Sequence, residues 1–302
     1  MGTISASTLA SSPLLILLPL WFGISLLISK LPNMFAASVV ISVYNKLDFF
    51  RLVLAGFERQ TNKDFELLIA DDGSGEEFVA GAKAALDASG ISYQYIWHED
   101  MGWRKNKALN ACFVAAKAPW IIVIDGDCIP HSAFVAQHLA HAAPRTMLTG
   151  RRMNLKPAPS RWLTPDRVRA GYLEWGYVFF WPWHLTGYYT LYFKGWYLPW
   201  LDKILNRGPK GLLGCNMSMA KEDLLAINGF DERYNSPGTG EDSDPDYRLR
   251  LLGVKERPIV NLAVQYHLWH RELTHPNANH RIIEEAKAKK QMWTPFGIQK
   301  TD

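Results

Sequence analysis

Trp120-Ile121-Ile122-Val123-Ile124-Asp125-Gly126-Asp127 is the stretch that decides how this chain folds. Its apolar part is short and rich in β-branched residues, which reads as a buried strand rather than a helix. Two carboxylates separated by one glycine follow directly. Hard oxygen donors at the carboxyl end of a strand in an open α/β sheet suit Mg²⁺ or Mn²⁺, and such an ion suits a bound diphosphate. Asp and Gly are also ordinary turn residues. The tripeptide alone leaves an acidic turn and a metal site equally open.

Working upstream, Ser38-Val39-Val40-Ile41-Ser42-Val43 is a continuous apolar strand of the kind buried on both faces of a parallel sheet. Leu47 to Gln60 reads as a helix with Phe50, Val53, Leu54 and Phe57 on one stripe. A second strand, Phe65 to Ala70, ends in Asp71-Asp72-Gly73-Ser74, and a helix runs from Glu76 to Ala88. A third strand covers Ile91 to Trp97, and a helix from Asn106 to Lys117 leads into the opening stretch. The series β-α-β-α-β-α-β predicts an α/β fold with a doubly wound, mostly parallel sheet. Downstream, Leu148 to Asn154 is expected to be a strand, and the apolar run Ile259 to Val264 precedes His267-Leu268-Trp269-His270. Arg281 to Gln291 reads as a charged amphipathic helix with a solvated face.

The chain has 302 residues, 48% hydrophobic and 21% charged, enough for a sizeable core in one or two domains. A net charge of +4, with no basic run, argues against nucleic acid as a partner. Cys112, Cys128 and Cys215 lack metal-ligand or disulfide spacing and read as reduced, buried thiols. Leu9 to Ser29 carries no charge, and Lys30 follows it. Its length fits a bilayer-spanning helix better than a cleaved signal, which would need a basic start. Residues 1–33 are therefore expected to be a membrane anchor. The positive-inside rule then places the part that follows, residues 34–275, on the cytoplasmic side of an inner membrane. Within it, 155–210 is crowded with aromatic and basic residues, expected to face a membrane surface or an acceptor. Residues 276–302 are expected to form a helical tail.

Four further clusters carry chemistry. Asp72, at the end of the second strand, can accept from a base N–H or a ribose hydroxyl. Lys105-Asn106 at a helix start suits a phosphate or a sugar hydroxyl. Gly240-Glu241-Asp242-Ser243-Asp244 places more carboxylates at a helix start than capping needs, and one of them suits a general base. A histidine after the late apolar run could complete an oxygen-rich metal site. The pair leaves open whether His267 or His270 does so.

In this order, the Val-Tyr-Asn strand end, Asp-Asp-Gly-Ser, Lys-Asn, Asp-Gly-Asp, Gly-Cys-Asn, Gly-Glu-Asp-Ser-Asp and late Tyr-His resemble the family 2 glycosyltransferases of the GT-A fold. The likeness is to the branch with a galactosyltransferase-like C-terminal part, which includes bacterial chondroitin-type polymerase domains. It covers about residues 36–275 apart from the aromatic insertion. The resemblance implies that Asp127 coordinates Mn²⁺ or Mg²⁺ on the donor diphosphate and that Asp125 contacts the ribose or sugar. It implies that Asp72 reads a uracil ring beside Ser42 and Tyr44, and that Lys105 and Asn106 lie near the donor. Asp242 matches the catalytic base, Glu241 a sugar contact, His267 the late metal ligand, and Asn216 a residue of the donor-sugar site.

Two features depart from the family. Gly238-Thr239-Gly240 stands where the branch often has a tryptophan that stacks on the acceptor, and Lys105 stands where the family usually has arginine. The expected activity is inverting, metal-dependent transfer from a nucleotide-sugar, a UDP-sugar by the Asp72 match, to a hydroxyl of a glycan or lipid-linked acceptor in bacterial surface-glycan assembly. The rivals are a non-catalytic glycan- or lipid-binding module on the same fold and a sugar-nucleotide pyrophosphorylase. The latter would need a Gly-rich loop where Val43-Tyr44-Asn45-Lys46 stands.

Overall fold

The structure, a computed structural model, describes residues 35–174, 193–238, 240–271 and 279–300. The expected anchor Leu9–Ser29 and residues 175–192 of the aromatic insertion lie outside the described residues. Among the described residues, no helix is long and apolar enough to cross a membrane.

The first half alternates as its apolar runs demand. Strand β1 (Ala37–Val43) leads to helix α1 (Leu47–Glu58), then β2 (Phe65–Asp71), α2 (Glu76–Ser89), β3 (Tyr93–Trp97), α3 (Lys105–Ala115) and β4 (Trp120–Asp125). Every residue of β2 is buried, as is nearly all of β1 and β4, which is why these strands lack polar alternation. Phe50, Val53, Leu54 and Phe57 of α1 are buried as their stripe predicts. The parallel register sets Ser42 beside Asp125 across β1 and β4, so those two strand ends open on the same side.

After β4 come β5 (Cys128–Pro130), α4 (Phe134–Ala140), β6 (Thr146–Thr149), β7 (Met153–Asn154), α5 (Pro157–Trp162), α6 (Pro165–Arg169) and the short α7 (Asp202–Leu205). The chain continues with β8 (Asn216–Ala220), α8 (Lys221–Ala226), α9 (Ser243–Leu251), β9 (Lys255–Pro258), β10 (Gln265–His267) and α10 (His280–Ala288). The main sheet has the order β3-β2-β1-β4-β8-β6-β9. Only β8 is reversed, pairing antiparallel to both β4 and β6, so the sheet is mixed though mostly parallel. A second sheet, β5-β10-β7, is built from short strands that follow β4.

One strand expectation is corrected. Leu148–Asn154 is not one strand. It divides at Gly150, with β6 in the main sheet and β7 in the small one. At Gly150 the backbone runs so close to Asn216 that a Cβ would sit 2.2 Å from its Cγ. The run Ile259–Val264 is buried except at half-buried Val260; it turns, with Asn261 at φ 63, and the strand begins only at Gln265. Burial explains its apolar composition, but it carries no strand pairing.

Candidate active site

The carboxyl ends of β1, β2 and β4, with the Ser236–Pro237 loop, enclose a cavity of about 490 Å³. Ser42, Tyr44, Asp72, Lys105, Asp125 and Asp127 all line it, so the sequence brings these six expected residues together. Gly73 lets the β2 turn approach its neighbour. Its φ is +91°, and a Cβ there would fall 2.5 Å from the Asp100 Cα.

Asp72 accepts from the Arg104 backbone N–H at 3.1 and 2.9 Å, and His98 Nε2 lies 3.2 Å from it. Burial raises its pKa from the ordinary value. Its neighbour Asp71 belongs to the framework, accepting from Tyr95 Oη at 2.5 Å and from the Ser74 N–H at 2.8 Å. Tyr44 donates to Asp100 at 2.9 Å on the cavity rim.

Asp125 is held from two sides, by Ser42 Oγ at 2.8 Å and by Lys105 Nζ at 2.8 Å. Lys105 Nζ also lies 3.8 Å from Glu241. Burial alone would lower its pKa, but the carboxylates of Asp125, Glu241 and Asp242 outweigh that and hold it well above the usual lysine range. One ammonium thus spans the strand-end acids and the acids of the late loop.

Asp127 faces both histidines. His267 Nε2 lies 3.5 Å from its Oδ1, and His270 Nε2 lies 3.2 Å from its Oδ2. The small sheet makes this possible by pairing His267 with Cys128, next to Asp127. Burial opposes ionisation of Asp127, yet the hydrogen bonds from the two imidazoles hold its pKa well below the carboxylate range. The His270 pKa is raised by the same bond. One ligand atom from each of the three residues falls within 4.8 Å of the others, close enough to share one cation. A carboxylate with two imidazoles suits Mn²⁺ and other transition ions better than Mg²⁺.

Glu241 and Asp242 stand at the start of α9, behind Lys105. Asp242 is the N-cap residue but makes no side-chain cap bond. The backbone of Gly214 closes over it, so that a Cβ there would lie 2.2 Å from its Oδ1. Burial raises the Asp242 pKa. Burial, with Asp242 and Asp125 nearby, pushes the Glu241 carboxyl up to about 8, although Lys105 pulls the other way.

Two expected donor contacts do not line the cavity. Asn106 is buried and donates to the Asp231 carbonyl at 2.8 Å. Asn216 is fully buried and donates to the carbonyls of Arg151 and Ala263 at 3.0 and 2.9 Å. Both amides tie the backbone together behind the site. Conversely, Arg152 was not singled out in the sequence. Its guanidinium touches Cys215 Sγ at 3.9 Å. Burial opposes its charge, yet Cys215, Cys128, Asp125 and Asp127 raise its pKa above that of an ordinary arginine. Gly150-Arg151-Arg152 directly after a strand was the available signal. Trp103 and Asn235 also line the cavity, from loops with no motif of their own.

Among solved structures, the mannosyltransferase PcManGT from Pyrobaculum calidifontis, in complex with GDP-Man and Mn²⁺, shares the fold, with a TM-score of 0.55 at 16% identity over 84% of this chain and 64% of that one. Acid-bearing strand ends on a mixed sheet with one reversed strand make this a GT-A glycosyltransferase fold. The chain belongs to glycosyl transferase family 2, whose sequence profile matches residues 38–198. It is 28% identical over 234 residues to the validoxylamine A glucosyltransferase of Streptomyces hygroscopicus subsp. jinggangensis (strain 5008), covering 72% of this chain and 52% of that one. It is 26% identical over 254 residues to the chondroitin synthase of Escherichia coli, covering 76% of this chain and 34% of that one. The chain therefore spans about half the length of the first relative and a third of the second.

Proposed function

We propose that this enzyme is an inverting, metal-dependent glycosyltransferase. It moves a hexosyl unit from a nucleotide-sugar of uridine type to a hydroxyl of a glycan or lipid-linked acceptor at a membrane surface. The observation that carries this reading is the bridge made by Lys105, 2.8 Å from Asp125 on the donor side and 3.8 Å from Glu241 beside Asp242. It links Asp125, which lines the cavity, to the acids of the late loop, among which the proton acceptor is assigned.

Asp72 would accept the imide N–H of a uracil ring, and Asp125 would accept from ribose or sugar hydroxyls. Asp127, His267 and His270 would hold the divalent cation, which when bound offsets the negative charge of the departing diphosphate. Lys105 and Arg152 place fixed positive charge around the same region. Asp242 takes the proton from the acceptor hydroxyl as it attacks the anomeric carbon, and its raised pKa makes it a better base than an exposed aspartate. Glu241, protonated at neutral pH, donates a hydrogen bond to a sugar oxygen. A single in-line displacement inverts the anomeric carbon.

The test is a nucleotide-release screen of sugar nucleotides with Mn²⁺ or Mg²⁺, with and without membrane extract as acceptor source. Asp242→Asn should lower turnover by roughly 10²–10⁴-fold while donor binding by calorimetry stays within a few-fold. Turnover that survives the substitution overturns the base assignment. Absence of any metal-dependent nucleotide binding favours a non-catalytic module.

A further inference from the structure

The segment from Pro199 to Lys210 turns its polar side inward and its apolar side outward. A 3-10 turn, Pro199–Leu201, runs directly into α7. Asp202 is paired with Arg257 at 2.6 Å. Asn206, only 8% exposed, donates to the Val260 carbonyl at 3.1 Å and accepts the Val260 N–H at 2.8 Å. Just before the turn, the Leu198 N–H donates to the Asn261 carbonyl at 2.8 Å. The turn is thus fixed to the domain by its polar groups.

What it presents to solvent is apolar and basic. Trp200 is 73% exposed and Ile204 60%, and their spacing of four sets them on one face. Lys203, Arg207 and Lys210 are also exposed, and residues 203–210 contain no acid. Among the described residues none of the three side-chain cations forms an ion pair, and Glu256, which accepts the Lys210 backbone N–H, pairs instead with Arg250. A soluble surface seldom holds a tryptophan and an isoleucine rigidly in water. Flanking lysines and arginine add a charge preference, and indole with basic side chains is the chemistry of a headgroup interface. An acidic glycan would explain the tryptophan and the charge, but it gives an exposed isoleucine nothing to bury against.

We propose that the Pro199–Lys210 face docks on an anionic phospholipid surface, with Trp200 and Ile204 entering the headgroup layer and Lys203, Arg207 and Lys210 over the lipid phosphates. This deepens the membrane part of the reading above. It is tested by binding without turnover, so its failure leaves sugar transfer untouched.

The experiment uses the full chain with a nitroxide on Ile204→Cys, the native thiols being buried. Accessibility of the label to oxygen and to a water-soluble relaxant is measured with vesicles of phosphatidylcholine alone and with added phosphatidylglycerol. A second label on Val114→Cys, at a residue 54% exposed on α3, is the control. The expected result is lipid-phase protection at 204 on anionic vesicles, weaker on neutral ones, with 114 remaining in water. Because the readout is local, attachment elsewhere in the chain does not produce it. Lys203→Glu with Arg207→Glu should shift the label back toward water by about tenfold or more. A label that stays in water on anionic vesicles overturns the proposal. So does one already buried before vesicles are added, which would mean that this chain or a second copy covers the face.

Discussion

Burial beside Asp242 and Asp125 pushes the Glu241 carboxyl up to about 8 from an ordinary 4.5, against the pull of Lys105. The sign of the consequence is fixed. Between those two values the folded protein binds a proton that the unfolded chain has released. The associated stability is complete below 4.5 and is lost as pH rises through 8. Glu241→Gln should therefore stabilise the metal-free protein by an amount that grows from about pH 5 to pH 8 and then levels, reaching a few kcal/mol. Urea denaturation at a series of pH values reads this directly. A difference that stays flat across the range would sink the assignment. The role of Lys105 also belongs to this scale. Its presence beside Asp125 could be suspected from Lys-Asn at a helix start, but its reach to Glu241 could not, because no spacing in the chain links residues so far apart.

At the scale of elements, the small sheet β5-β10-β7 completes the candidate cation cluster. It pairs His267 with Cys128 and so brings the HxxH turn against Asp127. The chain motif allowed either histidine, whereas the folded strand and the turn after it face both toward one carboxylate. His267→Ala and His270→Ala should each weaken Mn²⁺ binding by at least about tenfold, read by the free-Mn²⁺ electron paramagnetic resonance signal. Wild type should also prefer Mn²⁺ over Mg²⁺, since imidazole is a poor ligand for the harder ion. Equal Mn²⁺ affinity in His270→Ala and wild type would leave Asp127 and His267 as the only ligands among the three. Asn106 and Asn216 teach the opposite lesson. Both stand at motif positions, yet each amide closes backbone hydrogen bonds between elements, a demand that no local pattern displays.

Across the whole molecule, the loop bearing Glu241 and Asp242 is braced by the C-terminal stretch. Asn228, with φ 66, donates to the carbonyls of Thr294 and Gln299 at 2.6 and 2.8 Å. Thr294 Oγ1 donates to the fully buried Asp231 at 2.9 Å. Asp231 lies 3.7 Å from the buried Arg248 of α9, which in turn binds Asp244 at 2.7 Å. Charges buried this way depend on one another, so removing one partner strands the rest. Asn228→Ala should lower stability by about 2–3 kcal/mol in urea, through lost bonds and the left-handed backbone that asparagine tolerates. A change below about 0.5 kcal/mol would show that the C-terminal stretch contributes little to the fold.

The sequence by itself determined the alternation of strands and helices through Asp127, because continuous β-branched runs and a helical apolar stripe are local consequences of burial. It also determined which strand ends carry acids, because side chains at the carboxyl ends of neighbouring parallel strands open into the same crevice. Tertiary structure alone decided that Leu148–Asn154 divides between two sheets, that Ile259–Val264 turns, that the Arg152 charge lies near Asp125 and Asp127, and that the Asn106 and Asn216 amides bind backbone carbonyls. It also decided the upward shift of the Glu241 carboxyl and the downward shift of Asp127. Those properties come from desolvation and from charges brought close through space, and neither is encoded in the spacing of residues along a chain.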